Sequence, residues 1–231
     1  MNIYLSGQKY FGRLVLEMIL AEGHTVTGVS APQPTNGKTD KLWGLAELKR
    51  LPLLPSGKLN ADTLPPGVDL IIAAHSYDFI GRKTRNRCKL GAIGYHPSLL
   101  PLHRGRDAVK WSIKLGERVT GGTVFWLNDT VDGGPVAAQE HVFIPAGWDA
   151  ETLWRERLQP LGVELLRNTL RDIAAGRLVR IPQDHGIATW EPALDPPALY
   201  RPDLTQLGVL PDGYAVVTEH LYGMDYMPVS M

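Results

Sequence analysis

The sequence predicts an α/β fold: a mostly parallel sheet with helices on both faces, followed by a short C-terminal extension. Three observations predict it. First, residues 2–6 (NIYLS) and 25–30 (TVTGVS) are short strand-like runs flanking a stretch whose apolar side chains recur at spacings of three and four, a βαβ opening. Second, residues 69–74 (DLIIAA) are almost continuously apolar, as a parallel strand buried on both faces must be. Third, His96 ends another apolar run and is followed at once by Pro97, which cannot donate to a sheet ladder. That stop sets an imidazole at the carboxyl edge of the sheet, where open α/β folds place their ligands.

Taken in order, Gly7 closes the first strand, and Phe11, Leu14, Val15, Met18 and Ile19 mark the buried side of a helix ending at Gly23. The Gly7-x4-Gly12 spacing does not match a dinucleotide fingerprint, and no acidic residue ends the second strand, so nicotinamide or flavin binding is disfavoured. Gly7 reads as a tight turn or as a point where a ligand nears the backbone. Residues 31–40 form a polar loop rich in Pro and Gly, 41–49 a helix and 51–54 a short strand. His75, Ser76 and Tyr77 sit at the carboxyl end of the 69–74 strand. Residues 80–88 read as a helix leading to the strand before His96. Asp107 is set to cap a helix running to Leu115. Residues 120–127 and 135–144 read as an antiparallel pair joined by the turn-rich 128–134 (NDTVDGG). Asp149 or a neighbour caps a long amphipathic helix that carries Leu153, Leu158, Leu165, Leu166 and Ile173 and stops at Gly176. Beyond Arg180 the pattern weakens, and residues 214–222 read as a strand or part of a terminal hairpin.

The 231 residues suffice for one large domain with a small appendage, and 44% hydrophobic with 21% charged residues is the composition of a globular protein. Lys plus Arg equals Asp plus Glu, 24 each, which argues against a chain built for non-specific contact with nucleic acid or an anionic membrane. Cys88 is the only cysteine, so no internal disulfide and no Cys-rich metal site can form, in keeping with a cytoplasmic protein. Its neighbours Arg85, Arg87 and Lys89 allow a lowered thiol pKa, although an inert surface or helix-packing cysteine is the preferred reading. The first residues lack the charged segment and apolar core of a signal peptide, and no apolar run is long enough to span a bilayer.

Asp132, in NDTVDGG, is the second candidate functional group. Gly133 and Gly134 beside it allow a tight fold and let a planar ligand lie against the backbone. An aspartate near a histidine orients the ring and favours its charged form. Such a pair can donate to an oxygen that gains charge during attack on a carbonyl, and can take a proton from the attacking group. On chemistry alone this allows acyl transfer, hydrolysis or proton shuttling.

The stretches Tyr95-His96-Pro97-Ser98-Leu99-Leu100-Pro101, His103-Arg104-Gly105, Gly121-Gly122-Thr123 and Asp132-Gly133-Gly134 resemble the signature of the folate-dependent formyltransferases. Gly7-Gln8 to Gly12, Gly94 to Gly105 and Phe125-Trp126 look closest to the hydrolase-like domain of 10-formyltetrahydrofolate dehydrogenase. The resemblance implies a Rossmann-like catalytic domain, the formyltransferase fold, over residues 1–190, with an extension of open role at 191–231. It implies that His96 and Asp132 are catalytic and that N10-formyltetrahydrofolate is the formyl donor, with no metal. It further implies a pterin site formed by Ser76, Tyr77, Phe79 and Ile80 with Thr130, Val131 and Gly133. Ser98, Arg104 and Gly105 are expected at the acceptor, where Arg104 and Arg106 would meet phosphates. Most members carry an asparagine two positions before the histidine; here that position is Gly94, as in the dehydrogenase-type domain, which also lacks asparagine there. The tRNA enzyme and the dehydrogenase carry a further domain, and this chain's shorter tail and neutral charge make tRNA an unfavoured acceptor. The expected acceptor is a small amine, such as a nucleotide-linked amino sugar, with no nucleic acid or membrane partner and a homo-oligomer allowed. The alternatives are a 10-formyltetrahydrofolate hydrolase and a folate-binding module with little turnover.

Overall fold

The computed structural model describes residues 1–194. The chain divides at Glu191, and the unit Met1–Glu191 holds every element named below. The strand or hairpin expected at 214–222 lies outside the described residues.

Seven strands form one sheet: β1 (Asn2–Gly7), β2 (Thr25–Ala31), β3 (Leu53–Pro55), β4 (Leu70–Ala74), β5 (Gly91–His96), β6 (Val119–Trp126) and β7 (Val136–Phe143). Their spatial order is β3-β2-β1-β4-β5-β6-β7. The pairs from β3 through to β5 are parallel, and β5–β6 and β6–β7 are antiparallel. The chain steps outward from β1 to β3 and then returns to pair β4 with β1. The strand order therefore reverses between β1 and β4, the point where such sheets open a crevice. The antiparallel β6–β7 pair was expected from the sequence; the antiparallel β5–β6 contact was not.

The helices are α1 (Lys9–Ala21), α2 (Lys41–Leu48), α3 (Arg82–Arg85), α4 (Ala108–Lys114), α5 (Ala150–Leu153) and α6 (Gln159–Ala174). Alternation along the strands sorts two layers. Ile3, Leu5, Leu70, Ile72, Ile93 and Tyr95 pack with Phe11, Val15 and Ile19 of α1, Leu42 of α2 and Leu166 and Leu170 of α6. Tyr4, Ile71 and Ala92 point the other way, onto Leu59, Leu64, Val68, Ile80 and Cys88 around α3. Asp40 fixes the first crossover: its carboxylate caps α2 by accepting from Leu42 N and also accepts from Lys9 N at the start of α1, both at 2.8 Å. Gly7 and Gly12 serve packing. A Cβ on Gly7 would stand 2.5 Å from Ala74 O, and one on Gly12 2.9 Å from Leu42 Cδ2.

Between α5 and α6 the helix widens into a single π turn, Trp154–Leu158. Such a turn leaves carbonyls outside the regular ladder, and the buried Tyr95 hydroxyl donates to Leu158 O at 2.7 Å. Trp154, in the same turn, stacks on His75 with centroids 4.7 Å apart and 20° between planes. Among the described residues no helix is long and apolar enough to cross a membrane.

Candidate active site

His96 is the last residue of β5 and is buried. Its Nε2 lies 2.6 Å from His103 O. A carbonyl can only accept, so the Nε2 proton is committed there and Nδ1 is the nitrogen left for chemistry. Nδ1 faces Asp132 Oδ2 across 3.6 Å. That gap exceeds a direct hydrogen bond, so ring and carboxylate border one space rather than closing on each other. The Gly105 N–H donates to the same Oδ2 at 2.8 Å and sets the carboxylate's direction.

The turn that presents Asp132 is built by its own sequence. Asn128 Oδ1 accepts from Thr130 N at 2.8 Å, and Gly133 N donates to Thr130 O at 3.2 Å. Asp132 then takes φ +48°, a left-handed conformation that short polar side chains tolerate. The histidine loop is held from behind by Thr123 of β6, whose hydroxyl donates to Ser98 O at 2.7 Å and accepts from Leu100 N at 3.2 Å. Gln139 of β7 donates to Thr123 Oγ1 and to Leu100 O. The Leu100–Pro101 peptide is cis.

His103 sits at φ +55° between two acids, with Nε2 2.8 Å from Glu117 Oε1 and Nδ1 3.0 Å from Glu191 Oε1. The Glu191 contact, reinforced by Glu117 and outweighing burial, raises its pKa above the ordinary histidine value. His75 is held the opposite way: burial first, then the charges of Lys9 and His96, lowers its pKa to about 4. It also has positive φ, +57°, and packs on Phe11 as well as Trp154. It is therefore a partly buried, ring-packed histidine rather than a free surface side chain.

The remaining expected residues divide into those at the rim and those turned inward. Tyr77, Phe79 and Val131 are exposed apolar side chains, 62%, 84% and 63% accessible, and Thr130 is exposed beside them. The two loops that carry them are tied together, because Asp129 pairs with both Arg82 and Arg85 while Arg85 donates to Ile80 O at 2.7 Å. Ile80 is buried and helps anchor this rim.

Ser76 does not offer a free hydroxyl. Ser6 donates to Asp78 Oδ2, so Ser76 donates to Ser6 Oγ, each at 2.5 Å, and Ser76 accepts from Asp78 N. Gly133 is buried, and a Cβ there would lie 2.6 Å from Thr130 Cγ2.

The acceptor residues need correction. Ser98 is fully buried and donates to Leu102 O at 2.6 Å. Arg104 is 2% exposed, bonded to Gln183 and His185 and lying over the Trp190 ring, so it is not a phosphate contact at the surface. Gly105 contributes a backbone donor to Asp132. Arg106 is exposed. Cys88 is buried, and burial pushes its thiol up to about 11 against the weaker pull of Arg87, so it is inert at neutral pH. Among the described residues no group of three His, Cys, Asp or Glu is placed to hold a metal ion.

A family model described as formyl transferase matches residues 56–170, a span that contains both His96 and Asp132. The cytosolic 10-formyltetrahydrofolate dehydrogenase of Xenopus laevis is 34% identical over 202 residues, 83% of this chain. The chain carries a formyl transferase domain. It spans 22% of that relative's length. The domain's fold matches the crystal structure of phosphoribosylglycinamide formyltransferase from Bacillus halodurans, with TM-score 0.64 and 20% identity over 76% of this chain and 96% of that one. It also matches the N-formyltransferase from Helicobacter canadensis in complex with folinic acid and dTDP-3-aminofucose, with TM-score 0.68 and 15% identity over 83% of this chain and 70% of that one. The formyl transferase domain thus places His96 at the carboxyl end of β5 and brings Asp132, from the β6–β7 loop, beside it.

Proposed function

We propose that this chain is an N-formyltransferase that moves the formyl group of N10-formyltetrahydrofolate to the amine of a small acceptor. The convergence of His96 Nδ1 and Asp132 Oδ2 on one space at the sheet edge carries this reading. The acceptor nitrogen attacks the formyl carbon and forms the new C–N bond. A proton on Nδ1 of His96 donates to the oxygen as it gains charge. Asp132 takes the proton released by the amine. The bond from the formyl carbon to N10 then breaks, and that proton passes to N10 as tetrahydrofolate leaves. The exposed Tyr77, Phe79 and Val131 offer apolar surface to the donor's rings. A nucleotide-linked amino sugar is the preferred acceptor class, on the analogy of the Helicobacter neighbour.

One observation favours transfer to water instead. Gly94 offers no side-chain donor beside His96, and the dehydrogenase relative shares the domain. Incubation with N10-formyltetrahydrofolate and a panel of amines, dTDP-linked amino sugars among them, separates the two readings. A mass gain of one formyl group on an amine is the expected result. Formate released equally fast without any amine supports hydrolysis, and binding of the folate with neither product leaves only a binding module.

A further inference from the structure

We propose that Gln183 is a positioning residue for the His96–Asp132 pair, holding the turn that carries Asp132 against the loop that carries His103 and Gly105. The proposal rests on the reading of those two residues as the reacting pair. Residues 179–191 form a strap across both loops, interrupted by a short 3-10 turn at His185–Ile187. The strap is pinned at one end by paired backbone bonds between Val136 and Ile181, at 2.8 and 2.9 Å. At its other end Thr189 accepts from Arg104 N at 3.0 Å and from His103 N at 2.7 Å, and donates from its own N–H to Pro101 O at 3.2 Å.

Gln183 lies between these anchors and is 7% exposed. Its amide nitrogen donates to Asp132 O at 2.8 Å and to Gly134 O at 2.7 Å. Its oxygen accepts from Arg104 Nε at 3.2 Å and Nη2 at 2.6 Å. Two donors and two acceptor sites are all a primary amide has, and all four are used. Glutamate keeps the acceptors and loses the donors; methionine keeps the length and loses both.

The arrangement holds Asp132 at both ends. Gly105 N fixes its carboxylate, and Gln183 fixes its carbonyl. Both holders belong to one assembly, because Arg104 precedes Gly105 and is bonded to Gln183. A non-glycine residue at φ +48° keeps that conformation only when its surroundings enforce it. Released at the carbonyl, the turn relaxes and the carboxylate moves off Nδ1. Gln183 touches no reacting atom, so its effect passes through Asp132.

The test compares Gln183→Glu and Gln183→Met with the parent, each checked for folding by circular dichroism. Expected is a fall in kcat of about 10- to 100-fold, with KM for N10-formyltetrahydrofolate within about threefold. The NMR signal of the Gly105 amide shifts in both variants as its bond to Asp132 loosens. Added to Asp132→Asn, Gln183→Glu costs less than about twofold further, since both act on one group. A kcat within about twofold of the parent in both folded variants overturns the proposal, as does a full multiplicative loss in the double variant. If the parent turns over no folate, the functional reading fails while the Gly105 amide still judges this one. A shifted signal supports it, and an unmoved signal in both variants overturns it.

Discussion

Gly94 stands two residues before His96 on the same face of β5, opposite Phe125 on one side and Ala73 on the other. A Cβ there would lie 3.1 Å from Leu127 Cδ1 and 3.4 Å from Phe125 Cε1. The nearer atom is the tip of a flexible side chain, so an asparagine fits once Leu127 rotates. An absent preorganised donor costs roughly 3 kcal/mol at the transition state. Gly94→Asn is therefore expected to raise formyl-transfer kcat by about tenfold or more in steady-state assays; unchanged or abolished turnover contradicts this role for the missing amide. The placement of His96 at a strand end and of Asp132 in a glycine-flanked turn was legible in the sequence because these are local signals; their pairing was read from the family resemblance. Burial was not legible. Arg104 sits in a basic corner of the sequence, yet the fold turns its guanidinium onto Gln183. Cys88 is the exception: the sequence favours an inert cysteine despite its cationic neighbours, and desolvation does outweigh them.

At the scale of elements, the π turn and Tyr95 depend on each other. The hydroxyl needs an acceptor inside the core, the widened turn supplies Leu158 O, and glycines make room for the ring. A Cβ on Gly162 would stand 2.5 Å from Tyr95 Cε1, and one on Gly122 2.4 Å from the hydroxyl. Gly162→Ala gains about 1 kcal/mol of helix propensity, but overpacking typically costs 1–3 kcal/mol. Rigid aromatic neighbours on a buried strand put this site at the upper end. A net loss of about 1–2 kcal/mol in urea unfolding is expected, and a variant as stable as the parent contradicts the packing described. The sequence could not show the π turn, since it has no residue signature of its own. The helix expected over residues 80–88 shortens to Arg82–Arg85 for a readable reason. Arg82, Lys83, Arg85 and Arg87 crowd like charges at helical spacing with no acid among them. Two of these arginines turn to Asp129 instead. The strap of residues 179–191 was missed because an irregular segment held by a few isolated backbone and side-chain bonds carries no periodicity.

For the whole molecule, two histidines set opposite pH limbs on stability. His103 has a raised pKa, so its contribution is complete below the unfolded value near 6.5 and is lost as pH rises through the folded value. His75 has a lowered one, so its contribution is present above about 6.5 and is lost as pH falls toward about 4, on the order of 3 kcal/mol in full. Thermal unfolding followed from pH 4.5 to 9 should therefore show greatest stability near the middle of the range. His103→Gln should flatten the alkaline limb, and His75→Phe, which keeps the stack on Trp154, the acid limb. Limbs unchanged in the two variants would contradict these assignments. The layered sheet that places these groups was largely readable, because buried parallel strands are continuously apolar. The partners of each histidine were not, since Glu117, Glu191 and Trp154 are distant in the chain.

The most direct measurement is conversion of N10-formyltetrahydrofolate to tetrahydrofolate, with formate and formylated amine counted together, by the parent, His96→Ala and Asp132→Asn. Folate binding is checked separately by calorimetry. Expected is turnover by the parent and a loss of about three orders of magnitude or more in each variant, with folate affinity retained. Conversion at the parent's rate by both variants would contradict the claim that this ring and this carboxylate act on one formyl carbon.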